Sequence, residues 1–122
     1  IIIATGASSM SIPGVEVDGE QVLTYREAIL QADIPESVVI IGAGPIGLEF
    51  ATVWNSYGVD VTIIEMLDRI APLEDQEVSK ELEKAFSKRK INLLTGTKVE
   101  KIEKGKNKVV VHVSGEGDMD PI

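Results

Sequence analysis

The chain has 122 residues, no cysteine, 12 basic and 20 acidic side chains, and a formal net charge of −8. This length suits one domain with its own core. The content of 43% hydrophobic and 26% charged residues argues against disorder. No apolar run approaches the roughly 18 residues of a membrane span. The lack of cysteine excludes disulfides, thiolate nucleophiles and iron–sulfur sites. The single histidine argues against a histidine-based metal site. The excess of acidic over basic residues argues against binding of nucleic acid.

The first 35 residues are predicted to contain a short strand, a loop and a short helix. Ile1–Thr5 is an apolar run that predicts a buried strand, and Ser11–Gln21 contains glycine and proline and predicts a loop. A helix is predicted over Tyr25–Gln31, because Thr24 is suited to the N-cap and Glu27 completes a capping box. Since the chain opens inside an apolar strand and not on Met, we expect a piece of a longer protein.

A second strand and a longer helix follow. Ser37–Ile41 is rich in β-branched residues and apolar on both faces, which predicts a central parallel strand. The helix is predicted over Pro45–Tyr57, with Gly58 at its C-terminal cap. Its buried face is predicted from four residues at helical spacing, Ile46, Phe50, Val53 and Tyr57.

The remaining sequence alternates strand and helix and ends in a hairpin. Val61–Ile64 and Ile91–Leu94 are predicted strands, and the helix Glu74–Lys90 between them opens on acids and closes on bases. Its buried stripe is predicted from Val78, Leu82, Ala85 and Phe86. Val99–Glu103 and Val109–Val113 are predicted to pair across a glycine-containing turn. This order predicts an α/β fold, a Rossmann-like three-layer parallel sheet with helices plus an antiparallel β-ribbon.

The chemistry is predicted at a G-x-G-x-x-G motif between the strand Ser37–Ile41 and the helix after it. Gly42 permits the tight turn, Gly44 leaves the backbone open to a pyrophosphate, and Gly47 lets the helix pack closely on the strand. Pro45 costs no hydrogen bond at the first helical position. The free N–H groups of the first helical turn would then face a diphosphate.

An acid at the end of the next strand completes the motif. Glu65 lies 23 residues after Gly42, close to the usual offset of about 20. Its carboxylate can accept hydrogen bonds from both ribose hydroxyls of adenosine and would repel a 2′-phosphate. No arginine adjoins Glu65 to bind such a phosphate. The nearest cation is Arg69, which is expected at the rim of the site. The sequence therefore predicts NAD(H) over NADP(H). A turn without a ligand and a site for FAD, which uses the same motif, are the alternatives.

Motifs along nearly the whole chain resemble those of the pyridine nucleotide–disulfide oxidoreductases. The stretch Ile3–Gly6 is similar to the A-T-G motif where those chains leave the FAD domain, and Gly42–Glu49 is similar to their G-x-G-x-x-G-x-E. The stretch Ile64–Ile70, followed by Glu74-Asp75, Thr97–Val99 and the ribbon, resembles the dihydrolipoyl dehydrogenases in particular.

The resemblance implies two regions, residues 1–35 linking from an FAD domain and residues 36–122 forming an NAD(H)-binding domain without its closing strand. It implies a parent enzyme that oxidises dihydrolipoamide to lipoamide, with FAD and a redox disulfide, while reducing NAD⁺. This chain holds no catalytic residue of that reaction and is expected to be inactive alone. The alternatives are the NAD(H) domain of another flavoenzyme of the family, such as an NADH oxidase, and a nucleotide-sensing Rossmann module without chemistry.

The resemblance also implies partners, a location and individual contacts. The parent would be a homodimer, in some cases within a 2-oxo acid dehydrogenase complex, located in the cytoplasm or, in a eukaryote, in the mitochondrial matrix. The implied contacts are the nicotinamide for Ile46 and Glu49, the adenosine for Glu65 and Val99, and the FAD side for Thr5 and Gly6. The residues alone leave Ile46 and Val99 equally suited to a core, and Glu49 to a solvated helix face.

Three further predictions concern residues outside the motif. Ile1–Thr5 is hypothesised to occupy the place of the closing strand, within or between chains, because an open sheet edge tends to pair. His112 alternates with three valines and is predicted on the wetter face of the ribbon. Trp54 and Tyr57 are predicted to pack in the core.

Overall fold

The computed structural model describes residues 1–6, 8–10, 12–115 and 122. Its helices and strands, in chain order, are α1 Tyr25–Ile29, β1 Ser37–Ile41, α2 Pro45–Ser56, β2 Asp60–Ile64, α3 Gln76–Lys88, β3 Asn92–Leu94, β4 Lys98–Lys104 and β5 Val109–Ser114. Strands β1, β2 and β3 form a parallel sheet in that order, and β4 and β5 form an antiparallel ribbon. The predicted α/β fold is confirmed. None of the described helices has the length and hydropathy that a membrane span requires.

The sheet carries an apolar core on each face, because successive side chains of a strand point to opposite sides. On one face, α2 and α3 cover a buried cluster made of Ala43, Ala51, Val59, Val61, Ile63, Ile70, Phe86 and Ile91. On the other face, Ile64 packs with Val99 and Val111 of the ribbon. The parallel sheet thus has helices on one face and the predicted ribbon on the other, and the carboxyl ends of the parallel strands lie at one edge between them.

The sequence signals at helix ends hold in the structure. Thr24 caps α1 with the predicted capping box, in which the Thr24 N–H donates to the Glu27 carboxylate over 2.8 Å. The side-chain hydrogen bond from Thr24, followed by that backbone bond, holds the pKa of Glu27 below its ordinary value. Pro45 is the first residue of α2, and Gly58, with φ +85°, follows the helix as predicted.

The predicted N-terminal strand is wrong. Ile1–Thr5 forms no strand, and its three isoleucines are largely exposed, so the hypothesis that this segment takes the place of a closing strand within its own chain is also wrong. Pairing of this segment between chains stays a prediction. An apolar run becomes a strand only where another strand offers hydrogen bonds. Within the described residues β1 pairs with β2 alone, so it lies at an edge of the sheet and not at the predicted centre.

The predicted buried face of α2 is also wrong. Ile46, Val53 and Tyr57 are exposed and Phe50 is half-buried, whereas Ala51 is fully buried and Trp54 packs against the first core cluster. The helix is apolar around much of its circumference, so spacing alone does not identify the inward side. Gly47 sets the rotation, because its tight packing on β1 turns the residues four and seven positions later toward the sheet. The core prediction therefore holds for Trp54 and fails for Tyr57.

Helix α3 differs from its predicted stripe in the same way. Phe86 and Leu82 face the core as predicted, whereas Val78 and Ala85 are exposed. The small polar residue Ser79 is fully buried instead. A hydroxyl that finds a hydrogen-bond partner can occupy an inward position that the hydropathy pattern assigns to its neighbour.

The segment before α1 is attached to the ribbon. Val15 packs against the second core cluster, and Gln21 donates from its side-chain amide to the Gly105 carbonyl over 3.0 Å. Asp18 forms an ion pair with Lys104 at 2.9 Å, and its carboxylate accepts hydrogen bonds from three backbone N–H groups in its own turn. Residues 15–21 of the predicted loop are thus anchored at the end of the hairpin, whereas Ser11 lies outside the described residues.

The same contacts make the Asp18 turn sensitive to acid. The N–H of Val22 is the largest cause that holds the pKa of Asp18 well below its ordinary value, followed by the N–H of Glu20 and the ammonium of Lys104. Because this pKa is lowered on folding, the stabilisation is present above the unfolded value of about 3.9 and is lost as the pH falls through the folded value.

We expect Asp18→Ala to loosen this turn without unfolding the sheet, because it removes the shared acceptor of three N–H groups. Amide hydrogen exchange at residues 20–22 should accelerate several-fold. Asp33→Ala is the matched control, since Asp33 is an exposed acid without a hydrogen bond to the described residues. Equal exchange rates in the two variants would contradict the anchoring role.

Candidate functional site

The glycine-rich turn has the geometry that its sequence predicts. Gly42 has φ +102°, a conformation that side chains disfavour, and its N–H donates to the Ile64 carbonyl over 2.8 Å. A Cβ atom on Gly47 would overlap the carbonyl oxygen of Gly42 and lie 3.3 Å from the Ile40 side chain. A Cβ atom on Gly44 would meet nothing within 4 Å. The turn is therefore closed on its inner side and open beside Gly44.

The first turn of α2 presents free donors to this open space. Gly44 is the N-cap and makes no side-chain capping bond, and Pro45 follows it. Within the described part of the chain, the N–H groups of Gly44, Ile46 and Gly47 donate to no protein acceptor. Unpaired N–H groups at the positive end of a helix dipole suit an anion such as a diphosphate.

Glu65 lies against the turn, at the end of β2. Its side chain is buried, with 9% of the residue exposed. One carboxylate oxygen accepts from the Ala43 N–H over 2.8 Å, and the other accepts from the Leu67 N–H over 2.9 Å. An ionised carboxylate has about four acceptor positions, so two remain for hydroxyl donors. The arrangement fits a vicinal diol such as a ribose beside a diphosphate.

The segment after β2 holds the turn from a second side. The Ala71 N–H donates to the Ala43 carbonyl over 2.9 Å, so both peptide groups of Ala43 are bound by residues 65–71. Ala71 has φ +45°, and its carbonyl accepts from the hydroxyl of buried Ser79 over 3.3 Å. Sequence reasoning missed Ala71 and Ser79. Neither belongs to a recognisable motif, and no residue pattern marks an alanine with positive φ.

The other predicted site residues are more dispersed. Ile46 and Glu49 lie exposed on the first turns of α2, so the core alternative fails for Ile46 and the solvated alternative fits Glu49. Val99 is buried in the second core cluster. Thr5 and Gly6 lie in the exposed N-terminal segment. The structure thus gathers the turn, the start of α2 and Glu65, and leaves the remaining assignments as predictions.

Arg69 and His112 lie outside the turn and contact different parts of the molecule. Arg69 is partly buried and donates to the Pro72 carbonyl over 3.0 Å, which directs its guanidinium to its own loop. His112 lies on the wetter face of the ribbon as predicted, with its Nε2 atom 3.5 Å from the Glu103 carboxylate. Lys101 is the larger cause that lowers the pKa of Glu103, and His112 adds to it. This cluster belongs to the ribbon surface.

Comparison with protein families assigns most of the chain to one of them. A family model described as pyridine nucleotide-disulphide oxidoreductase matches residues 1–120. The dihydrolipoyl dehydrogenase of Mycobacterium leprae is 52% identical over 117 residues, which are 96% of this chain and 25% of that protein. The dihydrolipoyl dehydrogenase of Bacillus subtilis is 48% identical over 99 residues, covering 81% of this chain and 21% of that protein.

Solved structures of similar flavoprotein reductases match the fold of this chain. The crystal structure of LpdA from Mycobacterium tuberculosis matches with a TM-score of 0.81 at 29% identity, over 92% of this chain and 25% of that one. A pyridine nucleotide-disulfide family oxidoreductase from Enterococcus faecalis matches with a TM-score of 0.79 at 29% identity, over 91% of this chain and 27% of that one. The chain therefore spans about a quarter of the length of the proteins it matches.

Because the turn is closed at Gly47 and open at Gly44, alanine substitutions at these two glycines should differ in their effect on stability. Gly47→Ala should destabilise the fold by about 1–3 kcal/mol or more, because its methyl group would displace the Gly42 carbonyl. Gly44→Ala should leave the fold intact, because Gly44 has negative φ and open space around it. Thermal unfolding measures both, and the first variant should melt roughly 5 °C or more below the second. Equal melting temperatures would contradict the close packing of helix on strand.

Proposed function

Because this chain belongs to the pyridine nucleotide-disulphide oxidoreductase family, we propose that residues 36–122 form an NAD(H)-binding domain and residues 1–35 link it from an FAD domain. The observation that carries the proposal is the buried carboxylate of Glu65, bonded to the middle of the glycine-rich turn with acceptor positions to spare. The two backbone N–H groups use only part of the capacity of this carboxylate, and its remaining acceptor positions suit the hydroxyl groups of a ribose.

In the proposed complex, the diphosphate lies over Gly44 and receives hydrogen bonds from the free N–H groups of the first turn of α2. The adenosine ribose binds Glu65, and Val99 contacts the adenine from the ribbon. Ile46 and Glu49 lie toward the nicotinamide, and their exposure at the start of α2 supports this role. The remaining members of the proposed site are Gly42, Pro45 and Gly47 on the NAD side, and Thr5 and Gly6 on the FAD side.

The proposed activity of the longer protein is the oxidation of dihydrolipoamide to lipoamide with reduction of NAD⁺. When bound, the nicotinamide supplies the hydride acceptor, and this chain supplies the binding and orientation of the dinucleotide. Relatives at 52% and 48% identity are dihydrolipoyl dehydrogenases. That likeness favours this activity over an NADH oxidase, another reductase of the family or a nucleotide-sensing module.

The proposal extends to the setting of the longer protein. We infer a homodimer that works alone or within a 2-oxo acid dehydrogenase complex, as the family resemblance implies. The relatives described above are bacterial, which favours the cytoplasm over a mitochondrial matrix.

Cofactor choice is the direct test of Glu65. We expect the chain to bind NADH more tightly than NADPH in calorimetric titrations, because the carboxylate repels a 2′-phosphate. Glu65→Gln should weaken NADH binding roughly 10- to 100-fold, as expected for loss of hydrogen bonds to a charged group. The same substitution should reduce the ratio of the affinity for NADH to the affinity for NADPH.

The matched control is Asp33→Asn, which removes one charge from an exposed side chain in the segment before β1. It should leave both affinities unchanged. Melting temperatures of each variant separate loss of binding from loss of fold. Tighter binding of NADPH by the original chain would refute the choice of NAD(H), and binding of neither nucleotide would refute the site.

The chain by itself should not oxidise dihydrolipoamide. It contains no cysteine to exchange with the dithiol, so an assay with dihydrolipoamide and NAD⁺ should show no increase in NADH absorbance. A preparation of a full-length dihydrolipoyl dehydrogenase is the positive control. Turnover by the purified chain would contradict the proposal that this chain only binds the dinucleotide and that other parts of the longer protein react with the dithiol.

A further inference from the structure

We propose that Ser79 is a positioning residue for the dinucleotide site, acting through Ala71 and Ala43 on the direction of the Gly44 N–H. The inference rests on the proposed NAD(H) function, because Gly44 is the donor expected to meet the diphosphate. Three observations carry it: two hydrogen bonds between these residues and the backbone conformation of Ala71.

The first contact fixes the peptide that Gly44 shares with Ala43. The Ala43 carbonyl accepts from the Ala71 N–H over 2.9 Å, and the described residues contain no cis peptide. In a trans peptide the C=O and N–H point in opposite directions. Holding the Ala43 carbonyl against Ala71 therefore directs the Gly44 N–H away from Ala71, and Gly44 has open space around it.

The second observation is the conformation of Ala71. At φ +45° this residue occupies a region that alanine rarely adopts, and such a conformation persists only where the surroundings hold it. Both of its peptide groups are held. Its N–H donates to Ala43, and its carbonyl accepts from the Glu74 N–H over 2.9 Å as well as from Ser79.

The third observation is a hydrogen bond from α3. Ser79 has no exposed surface, and its hydroxyl donates to the Ala71 carbonyl over 3.3 Å. Its own N–H donates to the carbonyl of Asp75, the N-cap residue, so the hydroxyl is fixed to the start of the helix. A buried hydroxyl is unfavourable without a partner, and here the Ala71 carbonyl is that partner. The start of α3 is thereby connected to the glycine-rich turn.

Ser79→Ala tests the connection, because alanine fits the same space and lacks only the hydroxyl. Without nucleotide, the amide resonances of Ala43 and Gly44 should shift in the NMR spectrum. With nucleotide, NADH binding should weaken about 5- to 10-fold, as expected for one lost hydrogen bond in the supporting structure. Ser87→Ala, an exposed serine on the same helix, is the matched control and should change neither reading.

A second substitution distinguishes positioning from general packing. Glycine adopts positive φ without strain, so Ala71→Gly in the Ser79→Ala background should restore the Gly44 resonance and most of the NADH affinity. A loss caused by packing alone would not be rescued, because glycine removes a further methyl group. Rescue supports the proposal, and failure of the double variant to recover overturns it. If Ser79→Ala does not fold, the double variant alone decides in the same way.

The outcome also separates this inference from the proposed function. If the original chain binds no NADH, the proposed function fails, and the nucleotide-free resonances of Gly44 still test the connection to Ser79. If the original chain binds NADH and Ser79→Ala binds it equally well with unshifted resonances, the proposed function stands and the positioning role is overturned.

Discussion

The carboxylate of Glu65 accepts a hydrogen bond from the Ala43 N–H, and this bond joins the end of β2 to the turn that follows β1. It is available because the two strands are parallel and in register, with Ile41 opposite Ile64, so both strands end at the same edge. A buried charge is tolerated only where donors surround it, and two backbone N–H groups provide them. The shape of the turn, the start of α2 and the path of residues 65–71 all depend on this arrangement.

The sequence predicted those features whose cause is local. The capping box of Thr24, the limits of α2 and the three glycines each follow from a few neighbouring residues, and each has the expected geometry. The alternation of strand and helix likewise predicted the parallel sheet. In these cases backbone sterics and terminal hydrogen bonds decide the structure, and they are readable from residue types and spacing.

Features decided by distant contacts could not be predicted in the same way. Ile1–Thr5 has the composition of a strand, but hydrogen bonding depends on a partner that composition does not specify. The inward face of α2 depends on the packing of Gly47 against β1, and the burial of Ser79 depends on one carbonyl in the preceding loop. A hydropathy pattern contains neither fact, because both arise only when the segments meet.

The bond between Glu65 and Ala43 has a consequence for protein engineering. In the proposed NAD(H) site, a change of preference to NADP(H) would require exchanging Glu65 for a residue that tolerates a 2′-phosphate. The same carboxylate also accepts from the N–H of Ala43, so a replacement without an acceptor at this position would leave a buried donor unpaired. A successful redesign must therefore supply a new acceptor for Ala43 as well as a new partner for the phosphate, and selectivity and rigidity must be engineered together.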